Sequence, residues 1–525
     1  YYSRNMKYAK AILPATLLLT MTMAACNKQY ADFEANHNQA ESVSPDLVLR
    51  GITSDMNYDK PWSSVSRWCQ FDCCNYNYYG DQRYDWTGAS LNYSTLENIV
   101  KMEEEATKRG MAAVNPYTAL GKFQRAFFFY RMSSLVGDLP LSEALKGLEN
   151  THPSYDTQKK VFLQIFDWLE AANTELSQLI AAGDKTMTGD IYYENDLSKW
   201  QKAVNAFYLR VIIALSKKAG DTDLGLAARM QKVVGTPASY PLFSSNDDNL
   251  QYAYTVYNKY PSNPDNLGFD ATRYNMSATY LNNLVALNDP RAYLTAEPAT
   301  YQLKTNHKTP ADITAYVGAP SGEDLTNMSS KMSDVENAAY SVRSRSRYYS
   351  SYSAEPGIII GYAEQCFTIA EAANRGWLTA DAETWYKKGI AASLTFYGVP
   401  VEAAGTVSKT YDGVSYAIPF DFNGAYYNQA AVKYKGNNAG GLEQILLQKY
   451  LSFFQNSGWE AFFTWRRTGI PEFSTGVGTG NSGAIPKRFR YPTTERTTNS
   501  DNYNSAVQSQ FGEDDINGSM WLIKN

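Results

Sequence analysis

The chain has 525 residues, a net charge of −5 and a sequence pI near 5.5. This acidic balance argues against nucleic acid or an anionic membrane surface as the main partner, because both bind through a basic surface. Charged residues make up only 19% of the chain, whereas it contains 41 tyrosines and 10 tryptophans. Tyrosine combines an apolar ring face with a hydroxyl, which suits a wet surface that binds a polar ligand, although tyrosines can also simply fill loops.

The N-terminal region has the pattern of an export signal. Two lysines follow Met6, the expected start, and precede an apolar run over residues 11–23 that is too short to span a bilayer. Small residues then lead into Cys26, as at a lipoprotein cleavage site, although an ordinary secretory signal with an incidental cysteine is the alternative. We predict a signal peptide in residues 1–25, with 1–5 upstream of the true start, a lipidated tether in 26–46 and a single domain in 47–525.

Helical spacing of apolar residues dominates the rest of the chain. The most apolar helix begins at Ala119 and ends at Gly137, with Pro140 preventing it from resuming. Two antiparallel helices joined by a short glycine turn form the unit of a tetratricopeptide-like solenoid. We predict helical repeats near residues 96–218 and 356–468. The individual helices are predicted at residues 96–109, 119–136, 155–180, 196–218, 274–287, 359–374, 381–397, 442–455 and 459–468.

Two segments interrupt this pattern and are rich in aromatic residues. The first lies within residues 47–95, and the second is a long irregular excursion near residues 237–356. Loops of this length in a compact protein usually carry function. The sequence therefore predicts a mainly α scaffold with loop-rich excursions on one face.

We predict that the ligand site combines rings from both irregular segments. Their rings lie outside any helical stripe, so we expect core packing to leave them free, although a loop pinned to the core by its rings is the alternative. Sugar rings stack on aromatic faces, and peptides can use the same rings with tyrosine hydroxyls and an arginine as polar contacts. The predicted ligand-binding residues are Tyr78, Tyr79, Arg83, Trp86, Tyr348, Tyr349 and Tyr352.

Several short motifs, spread over most of the chain, resemble the SusD/RagB family of nutrient-binding outer-membrane lipoproteins. The motifs are G-D-x-P at 137–140, W-x-K-x-x-N-x-x-x-x-R at 200–210, D-P-R at 289–291, A-E-A at 370–372, Q-K-Y at 448–450, R-R-T-G-x-P at 466–471, and a tail with Pro486, Arg488, Tyr491, Pro492, Glu495, Asn499 and Ala506.

The resemblance implies a tetratricopeptide-like fold whose long excursions build much of the ligand face. It also implies a lipid-anchored protein on the exterior of the outer membrane of a Bacteroidetes-type bacterium. Such a protein captures oligosaccharides or oligopeptides and delivers them to a SusC-like TonB-dependent β-barrel transporter, on which it acts as a lid. No cofactor is implied.

The motif search gives no pattern typical of a catalyst. The glycines at 476–483 follow no strand and precede Pro486, so a surface loop is favoured over a phosphate site. Glu364 and Glu371 lie within one predicted helix, where structural or solvated roles explain them better than glycosidase chemistry. Five cysteines and three histidines show no metal-site spacing, and buried free thiols are favoured. We therefore expect no enzyme and no metal, with an all-helical glycan-degrading enzyme and a structural helical-repeat adaptor as the alternatives.

Overall fold

The computed structural model describes residues 42–524, and most of its secondary structure is helical. The helices are α1 (Pro45–Asp55), α2 (Ser64–Trp68), α3 (Tyr93–Lys108), α4 (Pro116–Val136), α5 (Gln158–Ala181), α6 (Leu197–Ala214), α7 (Leu226–Gly235), α8 (Asp270–Arg273), α9 (Ala278–Ala286), α10 (Arg291–Thr295), α11 (Thr300–Lys304), α12 (Leu325–Met332), α13 (Arg345–Tyr348), α14 (Tyr362–Asn374), α15 (Ala382–Phe396), α16 (Ala439–Ser452), α17 (Glu460–Thr468), α18 (Glu495–Thr498) and α19 (Ser500–Gln510). The strands are β1 (Asp72–Cys74), β2 (Leu250–Tyr252), β3 (Tyr274–Met276), β4 (Gly357–Ile360), β5 (Gly405–Tyr411) and β6 (Val414–Phe420).

The long helices pack as neighbouring pairs around one core. Helix α4 packs against α3 and α5, and α5 also packs against α6. Helix α14 packs against α15, α16 and α6. The predicted mainly α fold is therefore confirmed, and its helices lie within a few residues of their expected bounds. Residues 45–525 form one compact unit, whereas the predicted signal peptide and Cys26 lie outside the described residues.

The most apolar helix, α4, is fixed at both ends by local chemistry. The side chain of Asn115 accepts hydrogen bonds from the backbone N–H groups of Tyr117 and Thr118, and Pro116 occupies the first turn. The helix ends at Gly137, whose φ of 105° favours glycine, and a Cβ there would lie 2.4 Å from Oε1 of Gln510. Helix α4 therefore lies inside the core with a defined start and stop.

The strands form three antiparallel pairs: β1 with β3 and β2 with β4 connect distant parts of the chain, whereas β5 and β6 form a local hairpin. Two of them correct predicted helix starts. Residues 274–276 form strand β3, so the helix predicted from Tyr274 begins at Ala278, and β4 occupies the start of the helix predicted from Ile359. Backbone pairing across the sequence overrides local helical spacing at both places.

Charged residues within the helices form ion pairs in the core. Arg210 binds Glu364 through two hydrogen bonds of 2.6 Å. Glu371 pairs with Arg467 and with Arg375. Burial alone would raise the pKa of Glu371, but the arginines outweigh it and lower the pKa to about 2. These glutamates therefore have structural partners, since breaking a buried pair strands an uncompensated charge.

Within residues 42–524, no helix is both long enough and apolar enough to cross a membrane.

Candidate ligand-binding surface

The pairing of β1 with β3 brings two aromatic segments together. Cys74 lies opposite Tyr274 in this ladder. The backbone N–H of Asn75 donates to the carbonyl of Arg273 over 2.9 Å, and the Asn75 side chain donates to the carbonyl of Thr272 over 3.0 Å. Residues 76–79 are therefore held beside residues 269–274.

The result is a surface that we call the aromatic patch. Its members are Tyr76, Tyr78, Tyr79, Phe269, Arg273 and Tyr274. Tyr78 is 82% exposed, Phe269 72% and Tyr76 44%, although each has a large apolar ring. Soluble proteins rarely leave such rings clustered on the surface unless they bind something.

Within the patch, Tyr79 contacts both Tyr78 and Tyr274 edge to face. The centroids of Tyr78 and Tyr79 are 5.2 Å apart, and those of Tyr79 and Tyr274 are 6.2 Å apart. The hydroxyl of Tyr274 donates to the carbonyl of Tyr79 over 3.2 Å. Arg343 lies over the ring of Tyr274, 3.9 Å from its centroid. Tyr79 and Tyr274 are therefore held in position, while Tyr78 and Phe269 project further into solvent.

Arg273 supplies a polar group between the rings. Its guanidinium carbon lies 4.8 Å from the centroid of Tyr76 and 6.0 Å from that of Phe269. Its Nε is buried and has no hydrogen-bond partner among the described residues. Because this Nε is enclosed by the protein, Arg273 can meet a ligand only through its terminal guanidinium nitrogens.

Of the predicted site residues, Tyr78 and Tyr79 lie in the patch. Tyr352 is linked to the patch indirectly, through a hydrogen bond to Asp265. The hydroxyl of Tyr352 donates to Asp265 over 2.9 Å, and this hydrogen bond raises the pKa of Tyr352. Asp265 precedes Phe269 by four residues, a span of at most about 14 Å. Arg83 is exposed but pairs with Asp85 over 2.7 Å.

The expectation that core packing leaves all seven predicted residues free is wrong for Trp86, Tyr348 and Tyr349, which are buried. Trp86 stacks on Phe489 with centroids 4.2 Å apart and planes 4° apart. Nearby, the backbone N–H of Ala89 donates to the carbonyl of Arg490, and Gly88 forms a parallel β-bridge with Arg490, so this segment is held against residues near Phe489.

The two tyrosines of the second segment are also held inside. The ring of Tyr348 lies 4.9 Å from that of Trp62 and is stacked with that of Tyr260 at 6.1 Å. The hydroxyl of Tyr349 donates to Asp270 over 2.7 Å, and burial raises the pKa of Tyr349 to about 12. Tyr349 therefore lies inside the protein and contacts Asp270, the first residue of α8, the helix that also carries the patch residue Arg273.

Four patch members were not among the predicted site residues: Tyr76, Phe269, Arg273 and Tyr274. The criterion used for the others, a ring outside a helical stripe, also applies to Tyr76 and Phe269, which follows the turn-forming run 263–268. Arg273 carries no comparable sequence signal. Within residues 42–524, no group of three or more His, Cys, Asp or Glu side chains is arranged to hold a metal ion.

Comparison with known proteins shows which family the chain resembles. The SusD-like family profile described as "Starch-binding associating with outer membrane" matches residues 37–492. No curated protein sequence matches the chain.

Among solved structures, two SusD homologs from Bacteroides fragilis are each 29% identical to this chain, with TM-scores of 0.79 and 0.75; both matches cover 92% of this chain and 100% of theirs. A chitin-binding SusD homolog from Flavobacterium johnsoniae shares the fold at 19% identity and a TM-score of 0.67, covering 92% of this chain and 99% of its own. The predicted tetratricopeptide-like fold class is thereby confirmed. The chain belongs to the SusD-like family of proteins that associate with the outer membrane.

Proposed function

We propose that this protein captures nutrient oligosaccharides at the outer membrane through the aromatic patch. The observation that carries the proposal is the cluster of exposed rings around Arg273, of which Tyr78 is 82% exposed and Phe269 72%. Apolar faces of sugar rings stack on such side chains, while the tyrosine hydroxyls and the Arg273 guanidinium provide hydrogen bonds. The starch-binding description of the family supports a saccharide over an oligopeptide, which the same groups could also hold.

The proposal extends to delivery of the ligand. The protein is anchored by lipid at Cys26 on the outside of the cell, with residues 1–25 removed and 26–46 serving as the tether. Residues 47–525 act as one domain that closes as a lid over a SusC-like TonB-dependent β-barrel transporter. Capture and release require no bond cleavage, so the protein is a binder and not a glycan-degrading enzyme, in keeping with its family.

The test replaces exposed patch rings and measures binding by calorimetry. Malto-oligosaccharides and chito-oligosaccharides are the probes, and Tyr78→Ala and Phe269→Ala are the variants. A ring that covers a sugar contributes about 1–3 kcal/mol, so each variant should weaken binding about tenfold or more.

The matched control is Tyr257→Ala, because Tyr257 is 92% exposed but lies outside the patch. We expect it to bind like the unmodified protein, with all three variants unfolding at the same temperature. Unchanged affinity in both patch variants, with a measurable affinity in the unmodified protein, would refute the placement of the ligand.

A further inference from the structure

A second concave surface lies beside the aromatic patch, and we call it the hairpin groove. It has a volume of about 770 Å³, within the range of about 300–1,000 Å³ typical of ligand pockets. One wall is the tip of the β5–β6 hairpin, and the other walls come from α11, α12 and the segment that leads into α13. Its lining residues include Glu297, Thr300, Tyr340, Arg345, Tyr411 and Asp412.

One carboxylate fixes two walls of the groove. Oε2 of Glu297 lies 2.8 Å from Nζ of Lys409, which projects from β5, and Oε1 of Glu297 accepts the backbone N–H of Arg345 over 2.6 Å. The same Nζ donates to the carbonyl of Ala296 over 2.7 Å. Lys409 is only 2% exposed, so the contact is shielded from water. The groove is therefore formed before a ligand binds.

Most charges around the groove are paired with a charge of opposite sign. Lys304 pairs with Glu336 across the rim, and Glu297 pairs with Lys409, so these charges cancel. Arg345 and Asp412 are exposed and form no ion pair within the described part of the chain.

Arginine offers several N–H donors and aspartate offers only acceptors, which together suit the hydroxyls of a sugar. Tyr411 also lines the groove, is half-buried and has an aromatic ring on which a sugar can stack. Burial and Glu297 raise the pKa of Tyr411, whereas Arg345 lowers it.

The groove and the patch meet at a single helical turn. Ala271 and Thr272 of α8 line the groove, whereas Arg273 of the same helix lies over Tyr76 in the patch. Four helical residues span about 6 Å, roughly the length of one sugar unit or slightly more. The patch and the groove therefore lie on either side of the same short helix, within about one sugar unit of each other.

We propose that the hairpin groove is a second saccharide subsite, continuous with the aromatic patch, in which Tyr411 stacks on a sugar ring while Arg345 and Asp412 bind its hydroxyls. This inference rests on the proposed function and adds a length requirement to it. A short oligosaccharide fills the patch alone, whereas a longer one also occupies the groove.

The test compares short and long oligomers by calorimetry. Maltotriose and maltoheptaose form one series, and chitotriose and chitohexaose form the other. We expect Arg345→Ala and Tyr411→Ala to weaken binding of the long oligomer about tenfold or more and to leave the short oligomer unchanged. Tyr78→Ala should weaken both lengths, and Tyr257→Ala should weaken neither.

The outcomes separate the two proposals. If the unmodified protein binds the long oligomer and both groove variants bind it equally well, the groove assignment is overturned and the patch assignment stands. Equal losses for short and long oligomers would also overturn the groove assignment, because the groove would then not be a separate subsite. Failure of the unmodified protein to bind either series would overturn the proposed function and the groove with it. Thermal unfolding of each variant confirms that the protein is intact.

Discussion

Trp86 is a predicted ligand-binding residue that the structure places in the core, so its substitution separates the effect of packing from that of binding. It is 5% exposed, stacks on Phe489 at 4.2 Å and contacts Trp459 and Phe462 at 5.4 and 5.1 Å. Tyr78 lies only eight residues earlier but is 82% exposed. Truncation of these two rings should therefore affect different properties of the protein.

We expect Trp86→Ala to reduce the free energy of unfolding by about 3–5 kcal/mol, the usual cost of removing a buried aromatic ring. No hydrogen bond adds to this cost, because the indole N–H of Trp86 has no partner among the described residues. Tyr78→Ala should change the free energy of unfolding by no more than about 0.5 kcal/mol. Trp86→Phe should lie between them, since it keeps part of the stack on Phe489.

Urea unfolding followed by circular dichroism measures these differences, and calorimetry under native conditions measures ligand affinity. The folded fraction of Trp86→Ala should bind an oligosaccharide as the unmodified protein does, whereas Tyr78→Ala should bind weakly and unfold normally. A Trp86→Ala protein as stable as the unmodified one would refute the packing role. If Trp86→Ala lost ligand binding but kept its stability, Trp86 would be a ligand-binding residue and not a packing residue.

Three further predictions concern pH, anchoring and partnership. Burial raises the pKa of Glu460 to about 7, although Arg210 opposes the shift. The folded protein therefore holds a proton that the unfolded chain releases above pH 4.5, and the free energy of unfolding should fall as the pH rises from 4.5 to about 7. Glu460→Gln, which can still accept the hydrogen bond from Tyr130, should flatten this slope in denaturation measured across the window; an unchanged slope would contradict the assignment. Replacement of Cys26 by alanine should move the protein from the membrane fraction to the soluble fraction, and continued partition into the membrane would exclude lipid at that position. A tag on this chain should retain an outer-membrane β-barrel transporter after mild detergent extraction; recovery of the chain alone, under conditions that preserve other membrane complexes, would count against the lid role.

The helical scaffold follows from the sequence because its signals are local. Apolar spacing, the glycine after α4 and the proline beyond it lie within a few residues of the elements that they define. The β5–β6 hairpin was not predicted, yet its signal is also local. Asp412 and Gly413 both have positive φ, of 48° and 76°, and they separate two runs rich in Thr, Val and Tyr. An Asp-Gly pair between such runs favours a tight hairpin turn.

The burial of Trp86 could also have been read from the sequence. Gln82, Tyr84 and Trp86 are buried, while the charged residues that alternate with them, Asp81, Arg83 and Asp85, are exposed. Alternation of this kind indicates an extended segment with one face toward the core. Helical spacing does not detect this alternation, so a ring outside a helical stripe can still belong to the core.

The aromatic patch could not be assembled from the sequence, because its two segments meet only through strand pairing. The side chain of Asn75 donates to Asn275, 200 residues further along the chain, over 2.9 Å. No local pattern near either residue specifies the other as its partner. Sequence analysis can therefore identify candidate rings in each segment, but the structure is needed to show which rings share a surface.

The residues that carry the family resemblance have a different role from those that meet the ligand. Arg210, Arg467 and Arg488 each bind a carboxylate inside the protein, at Glu364, Glu371 and Asp514 respectively. Loss of one partner would leave a buried charge uncompensated, so these positions constrain the scaffold strongly. The exposed rings of the patch, Tyr76, Tyr78 and Phe269, carry no such penalty and can change without unfolding the protein. For this reason the motifs identify the fold and the family, while the proposed ligand surface consists of residues that no motif includes.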